Sequence, residues 1–195
     1  MTRKISFDYQ QALASATGLF WKNGYAATGL RDLLKVMGIG EGSFYNTLKS
    51  KKQLYLACVE RYNDEVVGPR EQALLAAPSA ALGIRAFFAD VLDTLDNPAT
   101  PSRLCLLAAM ETEEVIADAE LKARAEQALQ DLRGMFAQRL VEDRESGVLP
   151  STLEPQVTAS IIATYLKGLW RVALVEYERP ALERQIDAFL TALGL

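Results

Sequence analysis

Between residues 41 and 52 the chain gathers side chains suited to reading a polymer of bases and phosphates. Ser43, Asn46 and Thr47 carry small polar groups that can exchange hydrogen bonds with base edges, and Lys49, Lys51 and Lys52 carry ammonium groups that can hold phosphate oxygens. Phe44 and Leu48 stand four residues apart, with Tyr45 between them. That spacing puts both apolar side chains on one face of a helix and leaves Ser43, Asn46 and Thr47 on the others. Glu41 to Leu48 is too short to be a stable free helix, so larger neighbours must hold it, as they hold a recognition helix in a major groove. Glu41 has two readings: an acceptor for cytosine N4, or an acidic first-turn residue pointing away. Gly42 either lets the backbone approach DNA or is incidental.

The elements that must position these residues are legible on both sides. Leu30, Leu33, Leu34 and Met37 fall at i, i+3, i+4 and i+7, the apolar stripe of an amphipathic helix, with Thr28 where an N-cap would sit. Gly38-Ile39-Gly40 supplies the turn: Gly38 can take the left-handed conformation that ends a helix, and Ile39 packs back toward the core. Two short helices around a glycine turn are the layout of a helix-turn-helix DNA reader. A first helix, Asp8 to Asn23, sets Ala12, Leu13, Ala16, Leu19 and Phe20 on one face and stops at Gly24, bracing the reader from behind. A fourth helix begins near Lys51 and runs to Ala77, bent at Gly68-Pro69.

In this stretch Leu19-Phe20, Gly24-Tyr25, Thr28, Gly38-Ile39, Gly42, Phe44-Tyr45 and Ser50-Lys51 occur in an order and spacing that resemble the DNA-binding domain of TetR-type (TetR/AcrR) transcriptional regulators. The resemblance covers the first quarter to third of the chain. It implies that Thr28, Tyr45 and Lys51 meet the DNA backbone, while Ser43, Asn46 and Thr47 face the groove. Two positions depart from the family pattern: Gly40, where a small hydroxyl residue is usual, and Glu41, where a basic or polar one is. The first puts a phosphate contact in doubt, and the second puts an acid at the DNA face.

A net charge of −4 argues at first against a nucleic-acid partner, but the charges divide along the chain. Residues 1–55 hold eight lysines and arginines against three acids, net +5, and the remainder holds 13 against 22, net −9. A basic head on an acidic body is the footprint expected when one part alone meets phosphate. Half of the 195 residues are hydrophobic, enough for a substantial core. With no histidine, histidine-based acid–base catalysis and histidine-containing metal sites are excluded, and no nucleophile–base or metal-spaced set stands out. The expectation is a chain that is not an enzyme and has no cofactor and no metal. It shows no signal-peptide core and no apolar run near the ~20 residues that span a bilayer, and two cysteines fit a reducing compartment, so a cytoplasmic location with no membrane partner is expected.

Helical periodicity recurs nearly end to end, giving an all-α expectation of about nine helices: a helix-turn-helix domain over residues 1–50 on a larger helical bundle over 51–195. Beyond the fourth helix, prolines and glycines, and a weaker break near Ala117-Asp118, separate helices near 80–95, 102–116, 118–146, 154–178 and 180–193. The last two have broad apolar faces that either close the body's own core or pair with a second copy. TetR-type proteins dimerise through their last two helices, which points to a homodimer interface including Ile161, Leu169, Ile186 and Leu190. The resemblance also implies a pocket for a small apolar or amphipathic effector, with Phe87, Phe88, Cys105, Met110, Tyr165 and Trp170 as candidates, although aromatics and Met at helical spacing are as readily plain core. Cys105 is either a small buried hydrophobe or, with Arg103 near it, a reactive thiol.

The function expected is a ligand-responsive transcriptional regulator, a dimeric repressor released from an inverted-repeat double-stranded DNA operator by a hydrophobic or amphipathic effector, thiol-reactive if Cys105 is the sensor. One alternative is an architectural or activating DNA-binding protein without an effector. Another is an all-α carrier or enzyme.

Overall fold

The computed structural model describes residues 8–195, in which every regular element is helical and none is a strand. The chain forms two compact units. One runs through Glu65 and takes in Cys105–Ala125; the other comprises Val66–Leu104 and Glu126–Leu195. The unit carrying the reader therefore extends past residue 50 and includes the fourth helix.

In the reader's unit, α1 (Tyr9–Ala27) is capped by Asp8, whose carboxylate accepts from the amides of Gln10 and Gln11 at 2.9 and 3.1 Å. Gly24, at φ 76° and ψ 175°, breaks its regular geometry where the sequence places a stop. The helices α2 (Leu30–Met37), α3 (Glu41–Leu48) and α4 (Lys51–Tyr62) follow. The buried face of α1 (Ala12, Leu13, Ala16, Phe20) packs on α4, which buries Leu54, Tyr55, Cys58, Val59 and Tyr62. Phe20 meets the edge of Tyr55 at 4.9 Å, and Trp21 meets Tyr62 at 4.8 Å. A one-turn helix, α7 (Glu113–Ile116), and the first turns of α8 (Ala119–Glu145) complete this unit.

The predicted bend at Gly68-Pro69 is instead a π-helical turn at Asn63–Val67, and a new helix, α5 (Gly68–Ala76), starts with its proline in the first turn. Proline is tolerated there because the first amides of a helix have no intrahelical partner. The predicted helix over 102–116 does not form: the segment is irregular apart from a 3-10 turn at Ala108–Met110 and the single turn of α7.

In the other unit, α5 packs on α6 (Ala80–Asp96), with the rest of α8, α9 (Pro155–Val175) and α10 (Arg179–Ala192). α5 and α6 approach so closely that a β-carbon on Gly83 would lie 2.7 Å from the Leu74 carbonyl oxygen. Asp143 on α8, itself buried, pairs with buried Arg139 and accepts from the Ala80 amide at the start of α6 at 2.6 Å. No helix among the described residues is long and apolar enough to cross a membrane.

Candidate nucleic-acid interface

The recognition helix α3 is seated by the two side chains its spacing singles out. Phe44 is wholly buried and Leu48 nearly so, and around them Glu41, Gly42, Tyr45, Asn46 and Thr47 are exposed and Ser43 is half-buried. Tyr45 is 51% exposed, its ring near perpendicular to that of Phe44 with 5.3 Å between centroids. The turn before α3 forms as its glycine demands. Gly38 sits at φ 66°, ψ 30°, and the amides of Gly38 and Ile39 turn back to the carbonyls of Lys35 and Leu34 at 3.3 and 3.2 Å. A side chain at that φ would be strained.

Leaving α3, the backbone makes a sharper turn than its sequence announces. Lys49 has φ 65° and ψ −51°, and the Ser50 amide donates to the Leu48 carbonyl at 2.7 Å, a γ-turn of the strained positive-φ kind. The Lys49 ammonium donates to the Asn46 carbonyl at 3.0 Å, satisfying an end carbonyl of α3. Ser50 then caps α4, accepting from the Gln53 amide at 3.1 Å.

The three lysines have different surroundings. Lys51 lies over the Tyr25 ring, 4.4 Å from its centroid, and partial burial holds its ammonium below the usual range. Tyr25 continues into an aromatic cluster with Phe20 and Tyr55. Lys52 is held by two acids, Glu120 at 2.8 Å and Asp118 at 3.2 Å, which raise its pKa. Asp118 also caps α8, accepting from the amides of Leu121 and Glu120 at 3.1 and 3.0 Å. Those bonds, that of Leu121 foremost, hold its carboxyl below the ordinary range. Glu120 is held down by Lys52 and by Gln53, whose amide donates to it at 3.0 Å. This trio was beyond sequence reasoning, because its acids lie 66 and more residues from Lys52 and only a weak helix break marked Asp118.

Thr28 requires correction. The N-cap of α2 is Gly29; Thr28 ends α1, fully buried, and its hydroxyl donates to the Gly24 carbonyl at 2.6 Å. Gly24 takes a positive φ four residues before it, and the Thr28 hydroxyl closes the corner between α1 and α2.

The candidate pocket residues fall in both units. Phe87, Phe88 and Trp170 are buried in the body's unit, where Phe88 meets Tyr165 at 5.9 Å and Tyr165 stacks on Phe189 at 3.9 Å. The Tyr165 hydroxyl is buried there with no hydrogen-bond partner. Cys105 and Met110 are buried in the reader's unit instead, and Cys105 accepts from the Tyr62 hydroxyl at 3.4 Å. Arg103 stacks on the Tyr177 ring at 4.5 Å.

The interface candidates divide similarly. Leu169, Ile186 and Leu190 turn inward and are buried in their own protomer, closing the body's core, whereas Ile161 is 42% exposed. Val157, Thr164, Gly168, Val172 and Val175 share its outward side, with exposed Arg171 at its margin.

Residues 12–58 match the model of the bacterial regulatory proteins, tetR family. Over 99% of its length and 100% of the relative's, the chain is 27% identical to the HTH-type transcriptional regulator YezE of Bacillus subtilis (strain 168). It is 31% identical to the HTH-type transcriptional repressor ComR of Escherichia coli (strain K12), over 49% of this chain and 46% of that one. Among solved structures, a cysteine-substituted form of the TetR family transcriptional regulator CifR, complexed with 26bp double-strand operator DNA, superposes with a TM-score of 0.89 at 25% identity, covering 98% of this chain and 99% of that one.

Proposed function

We propose that the chain is a member of the tetR family of bacterial regulatory proteins and acts as a dimeric repressor that leaves its operator when a small hydrophobic or amphipathic effector binds the body. The observation that carries the DNA-binding half is the seating of α3: Phe44 and Leu48 anchor it from beneath, so that Tyr45, Asn46 and Thr47 stand outward together. A short helix fixed this way can enter a major groove, where asparagine pairs with the N6/N7 edge of adenine and threonine meets a base edge or a thymine methyl. Tyr45 and Lys51 hold the backbone on either side of it, and Ser43 and the exposed Gly42 allow close approach. Glu41, exposed in the first turn of α3, is the position most apt to change the preferred bases.

Dimerisation supports this reading geometrically, since two recognition helices must lie about 34 Å apart to read successive major grooves. The outward stripe Val157, Ile161, Thr164, Gly168, Val172 and Val175 on α9 is the surface we assign to it. For the effector, the aromatic set Phe87, Phe88, Tyr165 and Trp170 offers an apolar lining, and the unpartnered Tyr165 hydroxyl offers one polar handle. An effector releases DNA only by binding more tightly to the arrangement of the dimer that does not fit the operator.

Gel-shift titration of the DNA flanking the chain's own coding region tests the repressor reading. A shifted inverted repeat, released by a member of a panel of hydrophobic metabolites, is the expected outcome. A shift that no compound reverses, with a reporter turned on by the protein, would favour an activator without an effector. For the thiol, Cys105→Ser is the test: an unchanged response to electrophiles removes Cys105 as the sensor.

A further inference from the structure

Among the lysines that follow the recognition helix, Lys52 is the one already occupied by negative charge. It stands in the first turn of α4, two residues after the cap Ser50 and three after the turn at Lys49, and next to Lys51, which the proposed function places on the DNA backbone. Its ammonium sits between the carboxylates of Glu120 and Asp118, at 2.8 and 3.2 Å. We propose that Lys52 is a phosphate-binding lysine held off the DNA by Asp118 and Glu120, whose oxygens fill its coordination as phosphate oxygens would, so that the trio sets how tightly the reader grips any duplex.

Two observations support competition over permanent pairing. The trio is at the surface, with side-chain exposures of 32% for Lys52, 37% for Asp118 and 49% for Glu120, so the ammonium is within reach of solvent and of a competing anion. Ion pairs this exposed are weakly held. The carboxylates, by contrast, are fixed without the lysine: Asp118 by the amides of Glu120 and Leu121 at the start of α8, and Glu120 by the Gln53 side chain. They stay in place when the lysine leaves, and their uncovered charge opposes DNA. A long, flexible lysine side chain can exchange one set of oxygens for the other with little movement of the backbone.

This inference rests on the DNA-binding reading, and the test separates the two. The full-length chain, its Asp118→Asn/Glu120→Gln variant and the same variant with Lys52→Gln are titrated against double-stranded DNA of arbitrary sequence over a series of potassium chloride concentrations. The asparagine retains a capping oxygen for α8, and Glu120→Gln alone, which leaves the cap untouched, serves if the double variant melts early. The double variant is expected to bind several-fold tighter at low salt. Its plot of log affinity against log salt should steepen by about 0.9 per protomer, one phosphate's worth of released counterion, and adding Lys52→Gln should remove that increment. If the double and triple variants share one slope, the gain reflects only the lost acids and the inference is overturned. A double variant with the wild-type slope overturns it equally. A wild-type chain that binds no duplex overturns the DNA-binding reading itself.

Discussion

Lys49 is, glycines apart, the residue at positive φ among those described, and its strain lies at the junction of recognition helix and α4. Positions of this kind cost of order 1–3 kcal/mol and are kept where geometry matters. Lys49→Gly should therefore raise stability by about 1 kcal/mol in urea denaturation, part of the relief being offset by the freer unfolded chain, while weakening DNA binding by the loss of a cation beside α3. Lys51 and Asn46 should fail in different ways. Lys51→Ala should weaken binding to all sequences alike and lower the salt slope by about 1, with a small loss of melting temperature because its contact with Tyr25 goes too. Asn46→Ala should cost about 1–3 kcal/mol on the preferred operator and relax selectivity at one base pair, leaving non-specific binding unchanged. At this scale the sequence was a good guide where one residue type answers one local need, as at Gly38, Phe44 and Leu48. It was a poor guide at Thr28, where a hydroxyl near a helix start faces either side of a corner and only the φ of Gly24 decides which.

Elements were legible where one face alone is buried. The boundaries of α2, α3, α6 and α8 follow from spacing, glycine and proline. The 102–116 segment shows the converse. Cys105, Leu106, Ala108, Ala109 and Met110 are all buried, so the run is apolar on every side and its composition mimics a helix that the chain does not form. On α9 the apolar residues cover more than one face, and spacing alone did not separate inward Leu169 from outward Ile161. Contacts across long sequence separations were invisible, the trio at Lys52 above all. It carries its own prediction. The depressed pKa values of Asp118 and Glu120 mean that the stability they lend is present above their unfolded values near 4 and lost as pH falls below them. The melting temperatures of wild type and Lys52→Met should thus differ at pH 6 and converge toward pH 3. At the alkaline end the sign reverses. Burial pushes the Cys58 thiol up to about 12, so its stability contribution is complete below about 9 and falls as pH rises toward 12. Cys58→Ser should flatten that decline in a pH series of thermal melts.

For the whole molecule, the division of charge read from the sequence now has a structural counterpart: the basic residues around α3 and α4 belong to one compact unit, to which the chain returns with Asp118 and Glu120. The proposed dimer is tested apart from DNA. Ile161→Asp/Val172→Asp places two charges on an outward apolar stripe without touching the buried core, and sedimentation should find monomers that melt near the wild-type temperature; a dimer that persists would move the interface elsewhere. In the proposed complex two copies of α3, paired through the bodies, read one inverted repeat. The most direct test is selection from a pool of random DNA duplexes by the purified chain. The expected result is enrichment of a two-fold symmetric motif whose half-sites lie about one helical turn or a multiple apart, and enrichment that is abolished by Asn46→Ala/Thr47→Ala. Recovery of no motif, or of a single unpaired half-site bound equally well by that variant, would contradict it.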